Sequence, residues 1–175
     1  DLAGEAYFMR AFSYFMLANL YGKPYHPATA NEDLCVPLNK EIGLSDKMMK
    51  RATNAAVYAQ MEEDINKAIQ CFKAIGGEKT IFRPNLPSAY LLASRIALFQ
   101  EKYDVTILYC DSVFKVATQP LYKLQEKKDH YFFSLANKEI LLSYGLTSLE
   151  THMKEDFRYT GNLVVSDDLL ALYSE

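Results

Sequence analysis

Gly4-Glu5-Ala6-Tyr7-Phe8-Met9-Arg10-Ala11-Phe12-Ser13-Tyr14-Phe15-Met16-Leu17-Ala18-Asn19-Leu20-Tyr21-Gly22 is the stretch on which the fold turns. Tyr7, Phe8, Ala11, Phe12, Tyr14, Phe15 and Ala18 fall on several faces of an α-helix rather than on one stripe. A helix apolar nearly all round hides among other helices, since none of its faces favours water. The pattern predicts a helix over 4–20, enclosed in a helical body and stopped by Gly22 and Pro24. Arg10, Ser13 and Asn19 interrupt the run, which falls short of the roughly 20 apolar residues of a membrane span. Arg10, if buried, must find acceptors, so its expected role is to tie the scaffold together.

Outward from this helix, residues 23–52 show no helical period. They hold Pro24, Pro27 and Pro37 and one extended-looking run, Cys35-Val36-Pro37-Leu38. So long a connection within a compact domain is unusual, and 23–52 reads as a long insertion of functional or disordered character. Thr53 offers a hydroxyl to cap the next helix. There Val57, Met61, Ile65, Ala68, Ile69 and Phe72 recur at three- and four-residue steps, with Gln60, Glu63, Asn66, Lys67 and Gln70 on the other side. This predicts an amphipathic helix ended at Gly76-Gly77. A third helix is expected over 87–100, with Asn85 as cap and Pro87 in its first turn, where a missing N–H costs nothing. Its packing face is Ala89, Leu92, Ala93, Ile96 and Ala97. Tyr103-Asp104 opens a fourth, with Ile107, Leu108, Phe114 and Ala117 expected inward and Pro120 as its end. Residues 87–117 therefore read as a tight antiparallel hairpin in which Ala93, Ser94 and Ala97 permit close approach. Beyond Pro120 the segment 121–165 reads as irregular, with weak alternation over 139–145 predicting a strand. Ser166 then caps a short helix carrying Leu169, Leu170, Leu172 and Tyr173.

The 175 residues are half apolar and 23% charged, which suits one globular, mostly α domain over 1–175 with little β. A net charge of −3 gives no electrostatic reason to expect nucleic acid or an anionic membrane as partner. Cys35, Cys71 and Cys110 are far apart and form no CxxC pair, which argues against a disulfide framework or a zinc site. His26, His130 and His152 are too scattered for a metal site. Glu62-Glu63-Asp64 are adjacent on a helix and diverge, so they do not form an acid/base pair and read as a solvated face. The other reading of Asp64 is a structural ion pair with Arg10 or Arg51. Neither Ser143 nor Ser148 sits in a nucleophile motif. A binding protein without cofactor, rather than an enzyme, is expected. The opening Asp1-Leu2-Ala3 lacks a start methionine and reads as a fragment or mature segment.

Tyr90-Leu91-Leu92-Ala93-Ser94, Ala97 and Glu101-Lys102-Tyr103-Asp104 resemble a tetratricopeptide unit, in which Tyr103 belongs to the structural turn between helices. Glu101 stands where glycine is usual and Thr106 where alanine is usual. The whole arrangement resembles the SusD/RagB-like outer-membrane nutrient-binding family. The resemblance rests on the residue 4–12 block with Tyr14-Phe15 and Leu20-Tyr21-Gly22, and on Val36-Pro37-Leu38. It continues through Arg51-Ala52-Thr53, Val57-Tyr58, Glu63-Asp64-Ile65, the hairpin at 92–103, Asn137-Lys138-Glu139-Ile140-Leu141 and the helix after Ser166. It implies tetratricopeptide-like hairpins with long irregular insertions. It also implies a lipid-anchored protein on the surface of Bacteroides-like cells, its anchor lying outside this chain. Such a protein captures glycans or other nutrients and passes them to a TonB-dependent, SusC-like outer-membrane transporter, without hydrolysing them. A generic helical-repeat adaptor for a protein or peptide is the alternative.

The residues expected to hold ligand lie in the irregular region. A sugar ring has an apolar C–H face and a polar rim, so it suits a flat aromatic ring flanked by amide or guanidinium groups. Phe157, Arg158, Tyr159 and Asn162 form such a set. Tyr25 and Tyr131-Phe132-Phe133 are further loop aromatics, a class that more often pins a loop to the core.

Overall fold

The computed structural model describes residues 2–40, 48–76, 80–117, 137 and 139–144. Those up to Ser143 belong to one compact unit, Asp1–Ser143. The helix expected after Ser166, most of the irregular region 121–165 and the extent of a single domain to residue 175 lie outside the described residues. The elements run α1 (Leu2–Tyr21), β1 (Leu34–Pro37), β2 (Arg51–Thr53), α2 (Asn54–Ile75), α3 (Leu86–Phe99) and α4 (Tyr103–Val116). The fold is mostly helical with one two-stranded antiparallel sheet. α1 packs on α2, α2 on α3 and α3 on α4, giving two successive helical hairpins.

Local chemistry sets the element ends. Thr53 accepts from the Ala56 N–H at the start of α2, which satisfies an otherwise orphan donor. α2 stops at Gly76, whose φ of 58° and ψ of −178° form a pair essentially restricted to glycine. Asn85 and Ser88 close a reciprocal capping box at α3, with proline in its first turn. The core is made by Phe8, Ala11, Phe15 and Ala18 of α1, Val57, Met61, Ile65 and Ala68 of α2, and Ala89, Leu92, Ala93 and Ile96 of α3. Gly4 permits closest approach, since a Cβ there would stand 2.9 Å from Cys71 Cβ and from the Phe72 ring.

Several expectations are corrected. α1 is enclosed on one side only: Met9, Met16, Leu17, Leu20 and Tyr21 are exposed. The described residues set α2, β1 and a corner of α3 against it, and those cover less than its circumference. In α4, Ile107, Leu108 and Phe114 are exposed, while Tyr109, Val113 and Val116 pack on the core. Both sets recur at helical spacing, and the position of α3 selects the second. The expected strand over 139–145 is absent among the described residues of that stretch. Asn137 Oδ1 instead accepts from the Glu139 N–H at 3.0 Å, and Ser143 N–H reaches Ile81 O at 2.7 Å. Ile140 N–H also donates to Asn137 O at 3.2 Å, so the segment is held by turn and loop hydrogen bonds, with no strand paired to it among the described residues.

The long insertion closes on itself as a hairpin. Leu34 pairs with Thr53 and Pro37 with Arg51, leaving one extra residue on β1. Such a bulge breaks strand alternation, and consecutive Cys35 and Val36 are accordingly both buried. Arg51 donates to Cys35 O, to Leu34 O and to Tyr21 O, clasping β1 to the end of α1. Tyr25 stacks at a tilt on Tyr58 with 4.7 Å between ring centroids, pinning the insertion to α2. Asn54 Nδ2 donates to Lys23 O at 2.9 Å.

Candidate functional site

Phe157, Arg158, Tyr159 and Asn162 lie outside the described residues, as do Tyr131, Phe132 and Phe133. What the structure supplies is the scaffold and the surfaces it presents.

At its centre is a charge cluster whose carboxylate, Asp64, is buried while the Arg10 side chain is half-buried. Arg10 Nε and Nη2 donate to Asp64 Oδ2 and Oδ1 at 2.7 and 2.6 Å, a bidentate pair between α1 and α2. Gln60, one turn earlier on α2, donates to Asp64 Oδ1 at 2.9 Å. Asp64 and Gln60 are buried, which corrects the reading of this part of α2 as a solvated face. The hydrogen bond that Arg10 donates to Asp64 holds its guanidinium above the ordinary range. Arg51 makes the β1 clasp, and Arg10 is the partner of Asp64. Glu63, by contrast, pairs on the surface with Lys67, and that bond holds its carboxyl below the usual range. Tyr14, one turn beyond Arg10, exchanges hydrogen bonds with the Asn39 backbone, accepting from N–H at 2.8 Å and donating to O at 3.1 Å. Tyr103 opens α4 with its side chain largely exposed.

Two concave surfaces are lined by described residues of this scaffold. One, of about 480 Å³, lies where α1 ends against the β hairpin, lined by Leu17, Tyr21, Cys35, Val36, Pro37 and Arg51. Burial pushes the Cys35 thiol up, so it is an apolar wall rather than a nucleophile. The other, of about 230 Å³, opens between α2, α3 and α4. Ile65, Ala93, Ile96 and Ala97 form its floor. Glu62 is ion-paired with Lys102 across it, and Tyr109 donates to Asn66 Oδ1 at 3.2 Å. Burial, then the Glu62 carboxylate, raise the Tyr109 hydroxyl above its ordinary range, so it stays a donor at neutral pH. The sequence reading missed this quartet. Its signals were the one-turn spacing of Glu62 and Asn66 and the small Ala93 and Ala97 between them. No group of three or more His, Cys, Asp or Glu able to hold a metal occurs among the described residues. No described helix is long and apolar enough to cross a membrane.

This arrangement of α1, the bulged hairpin, α2 and α3 is a known one. Residues 1–98 match the family model described as SusD-like, starch-binding and associating with the outer membrane. The chain belongs to the SusD-like family. Solved structures agree. A SusD superfamily protein from Bacteroides thetaiotaomicron is 27% identical with a TM-score of 0.61, over 68% of this chain and 26% of that one. One from Bacteroides vulgatus is 25% identical with a TM-score of 0.61, over 68% and 27%. A SusD-like carbohydrate binding protein from Bacteroides vulgatus shares the fold at 19% identity and a TM-score of 0.56, over 67% and 25%. The SusD-like chain thus spans about a quarter of the length of these relatives. No curated protein matches it.

Proposed function

We propose that the chain serves as the helical scaffold of a cell-surface glycan-binding protein. It captures an oligosaccharide and hands it to a SusC-like TonB-dependent transporter at the outer membrane. The observation that carries this reading is the family match over residues 1–98, whose description joins starch binding to outer-membrane association. Its mechanism is reversible binding without bond cleavage. The chain is held at the cell surface by a lipid anchor, and Phe157, Arg158, Tyr159 and Asn162 supply stacking and hydrogen bonds to the sugar. The exposed Met9, Met16, Leu17 and Leu20 on α1 give the scaffold an apolar surface of the kind that meets other protein. That feature equally favours the second reading, an adaptor for a protein partner.

A glycan array probed with the chain and with Tyr159→Ala tests the proposal. Selective capture of one glycan class, lost or weakened about tenfold in the variant, is expected for loss of one stacking ring. Equal capture by both proteins removes the site assignment. Capture of no glycan, with a transporter or other protein bound instead, favours the adaptor.

A further inference from the structure

The outward face of α1 carries a regular pattern. Leu2, Ala6, Met9, Ser13, Met16 and Leu20 are all exposed and follow one another at steps of four, three, four, three and four. That is the heptad spacing along which two helices pack knobs into holes. No charged residue interrupts the seam, and the small Ala6 and Ser13 alternate with larger neighbours. α1 also lies at one end of the α1–α2–α3–α4 stack. A stack of helical repeats needs a polar outer face where it ends, and this end is apolar. We propose that the seam is a pairing surface for a second copy of the chain, the two α1 helices lying antiparallel about a two-fold axis. Nothing in this pairing depends on which ligand the protein holds.

Self-complementarity selects this occupant. With the two-fold axis level with residue 11, Ala6 faces Met16 of the second copy, Ser13 faces Met9, and Leu2 faces Leu20. Each methionine fills the hollow over a small residue, and the same contacts occur twice, as an isologous interface requires. Run parallel, the seam would set Ala6 on Ala6 and Ser13 on Ser13, leaving gaps where packed atoms should be. The flanks agree with the antiparallel arrangement. Leu17 falls beside Ala3 of the second copy. Arg10 comes near its own image, but Asp64 already matches its charge, and Glu5 accepts from Arg83. Leu2, Met9, Met16, Leu17 and Leu20 are each between 38% and 77% exposed. Covering them in both copies removes on the order of 1,000 Å² from water, the low end for a specific interface. A reversible dimer with a dissociation constant on the order of 10 μM follows.

Sedimentation equilibrium of the whole chain, from well below to well above about 10 μM, tests the pairing. A monomer–dimer equilibrium is expected. Met16→Lys places an ammonium over Ala6 of the second copy and should raise the midpoint at least about tenfold. Met16 is exposed, so the variant should keep its fold, which circular dichroism checks. Oxidative cross-linking then reads the direction of the helices. A mixture of the Met9→Cys and Ser13→Cys chains should form a disulfide-linked dimer faster than either variant alone, because those positions oppose one another only in the antiparallel register. The wild-type chain, with its free Cys35, Cys71 and Cys110, sets the background. A chain that stays monomeric throughout overturns the proposal and leaves the seam to a helix of different sequence. A dimer whose midpoint is unchanged in folded Met16→Lys overturns it too, since another surface then holds the copies together. Met9→Cys linking fastest to itself contradicts the antiparallel arrangement and the complementarity on which the second copy was chosen.

Discussion

Arg10 and Asp64 bind α1 to α2 through two parallel hydrogen bonds, with Asp64 fully buried. Removing one partner of such a pair strands the other charge in low dielectric, whereas removing both exchanges the pair for hydrocarbon. Arg10→Leu is therefore expected to lower stability by about 3 kcal/mol, and Arg10→Leu/Asp64→Leu to recover much of that loss. Urea denaturation of the two variants checks this, and a double variant worse than the single would contradict it. Arg10 was legible in the sequence because a cation in an all-apolar helix needs an acceptor. Its partner was read first as part of a solvated face and only second as an ion pair with Arg10 or Arg51; the second holds, since Asp64 stands seven residues after Val57 and so shares the packed face of α2. Tyr58 gives a second prediction at this scale. Burial pushes its hydroxyl up to about 12 from an ordinary 10. Between those values the unfolded chain has released a proton that the folded chain retains, so stability falls as pH rises and is intact below 10. Tyr58 is expected to contribute a loss of about 2 kcal/mol across that interval. Tyr58→Phe should show a correspondingly flatter alkaline denaturation profile.

Turns and caps decide how the second hairpin is held. Glu101 links α3 to α4 with a φ of 62°, a left-handed conformation that L side chains rarely adopt. The tetratricopeptide resemblance marked this as a glycine position, and the backbone bears the glycine geometry without the glycine. Glu101→Gly should raise stability by up to about 1 kcal/mol, the relief of the Cβ strain exceeding the added chain entropy. A lowered melting temperature would contradict that. Asn85 caps α3 and also donates from Nδ2 to Leu141 O at 2.9 Å, holding the chain that returns after α4. Asn85→Ala should cost about 1–2 kcal/mol and speed amide exchange at Ser88 and Ser143, more than a cap alone explains. Thr53, Asn85 and the gaps at 76 and 101 were readable because caps and turn residues act locally. The inward face of α4 was not, because Ile107 and Phe114 have the same spacing as Tyr109 and Val116, and the placement of α3 chooses between them. The bulged β hairpin was half legible. Cys35-Val36-Pro37 looked extended, but its partner Arg51-Ala52-Thr53 pairs across a loop that no local rule anticipates.

On the scale of the whole chain, the residue 4–22 helix, the insertion and the hairpins in that order identify the family more surely than any single motif. The apolar character of α1 all round was legible, and its half-exposure was not. Sequence records that a face avoids water without recording what covers it. Met9, Met16, Leu17 and Leu20 then mark α1 as a surface suited to contact. The role we propose for this scaffold is glycan capture without turnover. Calorimetric titration of the chain with a series of glycans, followed by assay of the recovered sugar for new reducing ends, tests it most directly. Saturable binding of one glycan class, with the sugar recovered intact, is the predicted result. A fully helical chain that binds no glycan in the series, or one that returns cleaved sugar, would contradict it.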